Sequence, residues 1–325
     1  MPPTTLDAQL LERVITAAVA APSIFNTQPW RFRLNTDNGA LEIRAVPGRG
    51  LVHLDPTGRA LHVSVGAGVF NLRVAAAHFG NEPVVRLLPD PAEPALLAAV
   101  RFTRPVRPGR GHRPDLYDSV WHRRSSRFPF APVRPPGHIL AELRDAAHAE
   151  GAALHFPEEE QAGKLLRLTA EAEQRNRNSA ARRMESRRWL RENADDGIPA
   201  AALGLQDATD RVPARDHSAT RNVAVLQAAA YEPHPLIAVL TTAHDTRADW
   251  LRTGQALEHV LLDATRHSLR ASLYHQAVEW PDLRAALYDT RRGRGHVQML
   301  IRIGYGPEGP PTSRRPVSEV LDDPE

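Results

Sequence analysis

The sequence predicts an α+β fold on three observations. Segments with apolar residues at three- and four-residue spacing are interspersed with short apolar runs of strand length. A hydrophobic share of 42% is enough for a sizeable core, and 325 residues allow about two domains or one large fused unit. A weak internal repeat is also visible: the helical stretch Gly66–Ala75 can be laid over Gly254–Asp263. Each of these stretches follows a loop containing Asp, Thr and Arg. Two apolar helices often align by chance, so the repeat alone does not establish a duplication.

Taken in order, Thr4 with Asp7 resembles a capping box for a first helix, on which Leu10, Leu11, Val14, Ile15 and Ala18 trace one apolar face. Pro22 ends that helix, because it lacks an amide hydrogen and clashes with the preceding turn. A polar loop follows, and then a strand pair, Arg31–Leu34 and Leu41–Val46, turning at Asp37-Asn38-Gly39. Residues 59–79 form the next helix; Gly66 and Gly68 should weaken it, and their presence suggests close approach by another backbone. Gly80-Asn81 closes it, and Val84–Leu88 is a strand. Residues 89–115, rich in Pro and Arg, are expected to be a linker in which any strand near Leu97–Phe102 is short.

Beyond the linker, a helix spans about 136–150 and a strand 152–156. Glu158, Glu159 and Glu160 start a long helix, where carboxylates oppose the positive dipole end. It runs to about Arg191 with a break near 176–179. Residues 193–222 lack the period of any long element. A buried strand at 235–241 leads to Thr246 and Asp249, a second capping box, and to a helix over 249–269. A short turn at 283–287 precedes the last strand, Gln298–Ile303, stopped by Gly304 and Gly306. The tail from Pro307 is extended, with a final turn.

Composition excludes several functions. There are no cysteines, so disulfides, thiolate catalysis and Cys-based metal sites are out. The formal charge is only +3, and Lys164 is the sole lysine. The arginines are spread among nearly as many carboxylates, unlike the concentrated footprint of a nucleic-acid surface. No run approaches the about 18 apolar residues of a membrane span, and the first residues lack a signal-peptide pattern. A cytoplasmic protein with no nucleic-acid or membrane partner is expected. His53 with Asp55, and His244 with Asp245, lack the ligand set of a metal motif. No Gly-x-Gly-x-x-Gly follows a strand, and no Gly-x-Ser-x-Gly elbow occurs.

Two stretches carry chemistry. Between Pro22 and Pro29, a stiff loop presents Ser23, Asn26, Thr27 and Gln28 at a helix-to-strand junction. Amide and hydroxyl groups suit the edge of a flat, polar heterocycle, which offers both donors and acceptors. The competing reading is a turn whose side chains bond only their own backbone. The second stretch is Arg123-Arg124-Ser125-Ser126-Arg127. Guanidinium forks fit a phosphoryl group and Ser125 adds a hydroxyl, so Arg123, Arg124, Ser125 and Arg127 are the best phosphate candidates. Solvated surface arginines are the bland alternative.

The run Ala21-Pro22-Ser23-x-x-Asn26-Thr27-Gln28-Pro29-Trp30-Arg31-Phe32 resembles the signature of the flavin-dependent nitroreductase superfamily. The whole chain, roughly residues 8–321, is similar to its long-chain actinobacterial, Acg-like branch, in which two nitroreductase halves share one polypeptide. The resemblance implies a nitroreductase-like fold, an α/β sandwich in which residues 1–110 and 111–325 form an intramolecular pseudo-dimer, with a candidate lid at about 175–220. It implies FMN as cofactor, NAD(P)H as electron donor, and a nitroaromatic, quinone or similar electrophile as acceptor. A monomer is expected, with a homodimer permitted. Arg123, Ser125 and Arg127 match the Arg-x-Ser-x-Arg stretch that holds the FMN phosphate and ribityl chain in the family. A basic residue near the C-terminus joins it there, which points to Arg314 or Arg315, with Arg315 preferred. Ser23, Asn26 and Gln28 would face the isoalloxazine, with Gly254 and Gln255 on its opposite wall; Trp30, which begins a strand, is expected in the core or a wall rather than stacked on the ring. Hydride transfer to a flavin requires no side-chain acid or base, so no catalytic residue is assigned, and no metal. A lid that closes the site would instead make the chain an FMN-binding or flavin-sequestering protein with little turnover.

Overall fold

Asp7 opens the first helix, α1 (Ala8–Val19): its carboxylate accepts the Leu10 N–H at 2.6 Å. Asp7 is therefore the cap itself rather than the far member of a box; Thr4 lies outside the residues described by the computed structural model, which are 7–103, 113–215, 227–287 and 295–322. Strands β1 (Trp30–Asn35) and β2 (Ala40–Ala45) pair antiparallel, with Gly39 in the left-handed region at φ 66° as the turn demands. Next come the buried helix α2 (Arg59–His78), β3 (Glu82–Leu87) and β4 (Leu96–Thr103). The first sheet has the order β1-β2-β4-β3, every neighbour antiparallel.

The short helix α3 (Tyr117–His122) and α4 (Gly137–Ala149) lead to β5 (Ala153–His155). An insertion follows: α5 (Glu159–Asn178), α6 (Ala180–Arg188), and a long loop whose two-residue strands β6 (Gln206–Asp207) and β7 (Ala228–Ala229) pair in parallel. The chain then forms β8 (Leu236–Thr242), α7 (Arg247–Arg266), β9 (Arg270–Tyr274), α8 (Pro281–Ala286), β10 (His296–Gly304) and α9 (Val317–Val320). The second sheet is β5-β8-β10-β9, again all antiparallel. Helix–strand–strand–helix–strand–strand thus occurs twice, α1-β1-β2-α2-β3-β4 and α4-β5-β8-α7-β9-β10, with one spatial order. The expected boundary at residue 110 lies outside the described residues.

The two long helices meet at the two glycines the repeat had aligned. A Cβ on Gly66 would fall 2.1 Å from the Leu251 carbonyl oxygen, and one on Gly254 2.0 Å from that of Val63. Only glycine permits this crossing. At Gly68, by contrast, a Cβ would make ordinary contact with Ala18 and Trp30. Helix α2 is long and apolar enough to cross a membrane by length and composition, but 83% of its apolar 18-residue stretch is buried inside the fold.

Strand β4 corrects the expectation of a linker with a short strand. It spans eight residues in the middle of its sheet, with Leu97, Ala98, Val100 and Phe102 buried. The flanking prolines and arginines obscured this run. The Thr246–Asp249 capping box forms as expected, as does the break between α5 and α6, at Ser179. The tail crosses back to the first sheet, where Leu321 bridges Phe32 and the Asp322 N–H donates to the Phe32 carbonyl at 2.8 Å.

Candidate functional site

A cavity of about 620 Å³ lies where the end of α1, the loop after it, the segment after α3, the insertion and the tail converge. The arginine-rich segment and the polar loop, a hundred residues apart in sequence, share this wall. Ser125 is pinned by a parallel bridge to Ala271 in β9. Gly309 lets the tail pass over it, since a Cβ there would sit 2.0 Å from the Ser125 carbonyl oxygen.

Arg123 and Arg314 are the electrostatic centre. Each donates an Nη2–H to the Ala20 carbonyl at 3.3 Å, so both guanidinium groups meet at the C-terminal end of α1. Neither Nε–H has a hydrogen-bond partner among the described residues. Burial, followed by the charge of Arg123, pushes Arg314 down to about 9. Their buried counter-charge is Glu258 on α7, whose Oε1 is 3.4 Å from Arg123 Nε. Burial pushes the Glu258 carboxyl up to about 7 against the opposing pull of Arg123, Asn71 and Arg314. Two desolvated cations thus face one reluctant anion. A surplus of positive charge on a cavity wall is the arrangement a phosphate completes.

The remaining arginines differ. Arg124 lines the cavity with no hydrogen bond or ion pair among the described residues. Arg127 lines it too, but donates Nη1–H to the Ala202 carbonyl at 2.7 Å; burial and nearby Arg215 push it down to about 10. Arg315 also lines the cavity, but its guanidinium is engaged by Glu319 through the carboxylate at 3.1 Å and the carbonyl at 2.6 Å.

The polar loop is held in an uncommon backbone. Phe25, Asn26 and Gln28 have φ of 51°, 53° and 47°, left-handed values that non-glycine residues rarely adopt. Ser23 Oγ accepts the Gln28 N–H at 2.9 Å. Asn26 reaches the cavity, but its Nδ2 donates to the carbonyls of Gly197 (2.9 Å) and Ser313 (3.0 Å), leaving Oδ1 without a partner among the described residues. Gln28 is fully buried and lies outside the cavity lining. Its Nε2 donates to the Asp195 carbonyl at 2.7 Å and its Oε1 accepts the Arg315 N–H at 2.9 Å. Gly254 and Gln255 do not line the cavity either: Gly254 makes the helix crossing, and Gln255 Oε1 accepts from Arg73 at 2.9 Å.

Asn26 and Gln28 therefore fasten the insertion. Other contacts reinforce the clasp. Arg49 pairs with Asp196, and the Glu185 carboxylate accepts the N–H groups of His53 (3.0 Å) and Leu54 (2.8 Å). Phe25, Leu51 and Leu54 pack with Trp189, Ile198 and Leu203.

A recess of about 80 Å³ shares Pro22, Ser23, Phe25, Ser125 and Arg127 with the main cavity. Arg59, Ser64 and His275 also line it. Burial and Arg215 push His275 down to about 4, which leaves the imidazole neutral beside Glu279, 2.7 Å away. Sequence reasoning missed Arg59 and His275 in the recess and the buried Glu258 beside Arg123, because nothing local marks an isolated polar residue as part of a distant site. Among the described residues, no group of three potential ligands could hold a metal.

The fold and cavity define a two-sheet α+β protein with a cationic, phosphate-compatible site between the end of α1 and the C-terminal tail. No family model matches the chain. A curated Mycobacterium tuberculosis relative named "putative NAD(P)H nitroreductase acg" is 30% identical over 332 residues, covering 99% of this chain and 98% of that one. The chain belongs to the nitroreductase superfamily, in its long-chain Acg-like branch. Among solved structures, it is similar to a nitroreductase with bound FMN from Bacteroides fragilis (TM-score 0.37, 13% identity, 62% of this chain and 93% of that one). It is also similar to one described as a putative nitroreductase from Anabaena variabilis (TM-score 0.45, 11% identity, 93% and 90%).

Proposed function

We propose that this protein is an FMN-dependent oxidoreductase that takes electrons from NAD(P)H and passes them to a nitroaromatic, quinone or similar electrophilic small molecule. The observation that carries the reading is the convergence of Arg123 and Arg314 on the wall of one cavity, with a single buried carboxylate, Glu258, as counter-charge. Membership of the nitroreductase superfamily supplies the cofactor class. Arg123 and Arg314 would hold the phosphate, with Arg124 at hand and Ser125 and Arg127 along the ribityl chain. Ser23 and Asn26, which line the cavity, would meet the polar ring. Bound FMN supplies the electron and hydride transfer itself. The protein's part is to bind and orient it and, through the packed insertion, to exclude water. The duplicated topology supports an intramolecular pseudo-dimer with one site per chain, and a monomer needs no partner to complete it.

A specific observation favours a second reading. The insertion is fastened over the loop by Asn26, Gln28, Arg49 and Glu185, so it covers groups otherwise available to the ring. An FMN-binding or flavin-sequestering protein with little turnover would need such a cover. Anaerobic titration of the FMN-loaded protein with NADPH separates the two. Rapid bleaching of the flavin absorption is expected of the oxidoreductase; a spectrum that NADPH leaves unchanged would replace that reading with the second.

A further inference from the structure

A second cavity, of about 560 Å³, shares no lining residue with the first. It lies between α5, the segment Phe130–Arg134, and β8 with the end of β10. On α5, residues Ala162, Leu166 and Ala170 recur at four-residue spacing and so present one face to it. Ile237 and Ile303 from the sheet and Phe130 complete the apolar lining.

The lining is firmly built. Gly304 and Gly306 make room for the Phe130 ring, which a Cβ would approach to 2.8 and 2.6 Å. Arg302 lies 3.9 Å from the centre of that ring and is paired with Glu232, which also accepts the Phe130 N–H at 2.9 Å. The Glu232 charge is therefore matched from within. At the rim, Glu159 is occupied by His234, 2.7 Å away. Arg134 and Arg167 are exposed and have no hydrogen bond or ion pair among the described residues, and Arg211 donates only to the Thr209 hydroxyl at 3.0 Å. Against these three cations the lining sets two carboxylates without an arginine partner, Asp210 and Glu159, so guanidinium remains in surplus.

Apolar pockets of roughly 300–1,000 Å³ with a few polar groups at their edge suit small organic ligands. Surplus guanidinium at the rim adds a preference for a negative head group. We propose that this cavity binds an amphipathic organic anion, a medium-length apolar body ending in a carboxylate. The apolar part lies against Leu166, Ile237 and Phe130, and the carboxylate meets Arg134 and Arg167. The site stands independently of the flavin reading, because it uses none of the same residues.

Calorimetric titration of the full chain with octanoate, with and without saturating FMN, tests it, with octan-1-ol as the neutral counterpart. One octanoate per chain is expected, unaffected by FMN, with octan-1-ol binding more weakly. Arg134→Ala with Arg167→Ala should weaken octanoate at least tenfold and leave octan-1-ol unchanged. Both side chains are exposed, so an unaltered thermal melt is the control for folding. Four results would overturn the proposal: no octanoate binding at millimolar concentration, equal binding by the double variant, equal binding of octan-1-ol, or displacement of octanoate by FMN.

Discussion

Glu258 links the buried charges to pH. Its carboxyl is pushed from the ordinary carboxylate range up to about 7, so the folded state holds a proton that the unfolded chain has released. Between the unfolded value and about 7, stability therefore falls as pH rises. Glu258→Gln should flatten that part of the profile, which urea denaturation between pH 5 and 8 measures. The same proton affects anion binding. A phosphate beside Arg123 and Arg314 favours protonated Glu258, so FMN should bind more weakly as pH rises from about 6.5 to 8.5, and less steeply so in Glu258→Gln. The two tail arginines also separate at this scale. Arg314→Ala should weaken FMN binding at least tenfold, whereas Arg315→Ala should change it little, since Arg315 already binds Glu319. The sequence named both but preferred Arg315. Their order along an extended tail does not reveal that Glu319 engages Arg315 while Arg314 meets Arg123 at the Ala20 carbonyl.

Among the elements, the α2–α7 crossing rests on glycine in both helices. Gly254→Ala forces a methyl against the Val63 carbonyl and should cost about 1–3 kcal/mol, by overpacking, in denaturant unfolding. The close approach was legible from glycines retained inside a helical pattern, and Gly254 lay in the aligned repeat. The function assigned to Gly254 was not legible, because spacing does not say which neighbour a small residue admits. Similarly, the polar loop was identified as a constrained junction, but the partners of Gln28 were not. They come from residues 195 and 315, far along the chain. Asn26→Ala with Glu185→Gln removes contacts that hold the insertion. Limited proteolysis within residues 189–215 should then become faster, and in the covered-flavin reading NADPH should begin to bleach the bound cofactor.

At the scale of the molecule, alternating helical and strand patterns were enough to place most of the elements that build both sheets. Strand β4 was underestimated because prolines and arginines crowd its ends, and β9 went unrecognised because Arg270 and Ser272 interrupt its apolar residues. The shared strand order of the two sheets had only one helical alignment as its sequence trace. Neither sheet contains the whole site: α1 and its loop come from the first half, while Arg123, Glu258 and Arg314 come from beyond it. One cavity assembled across both halves is the central claim, and FMN titration followed by flavin fluorescence tests it most directly. One FMN per chain should bind to the wild type, and Arg123→Ala combined with Arg314→Ala should lower its affinity at least a hundredfold while the thermal melt remains cooperative. Full affinity in a folded double variant would contradict the account.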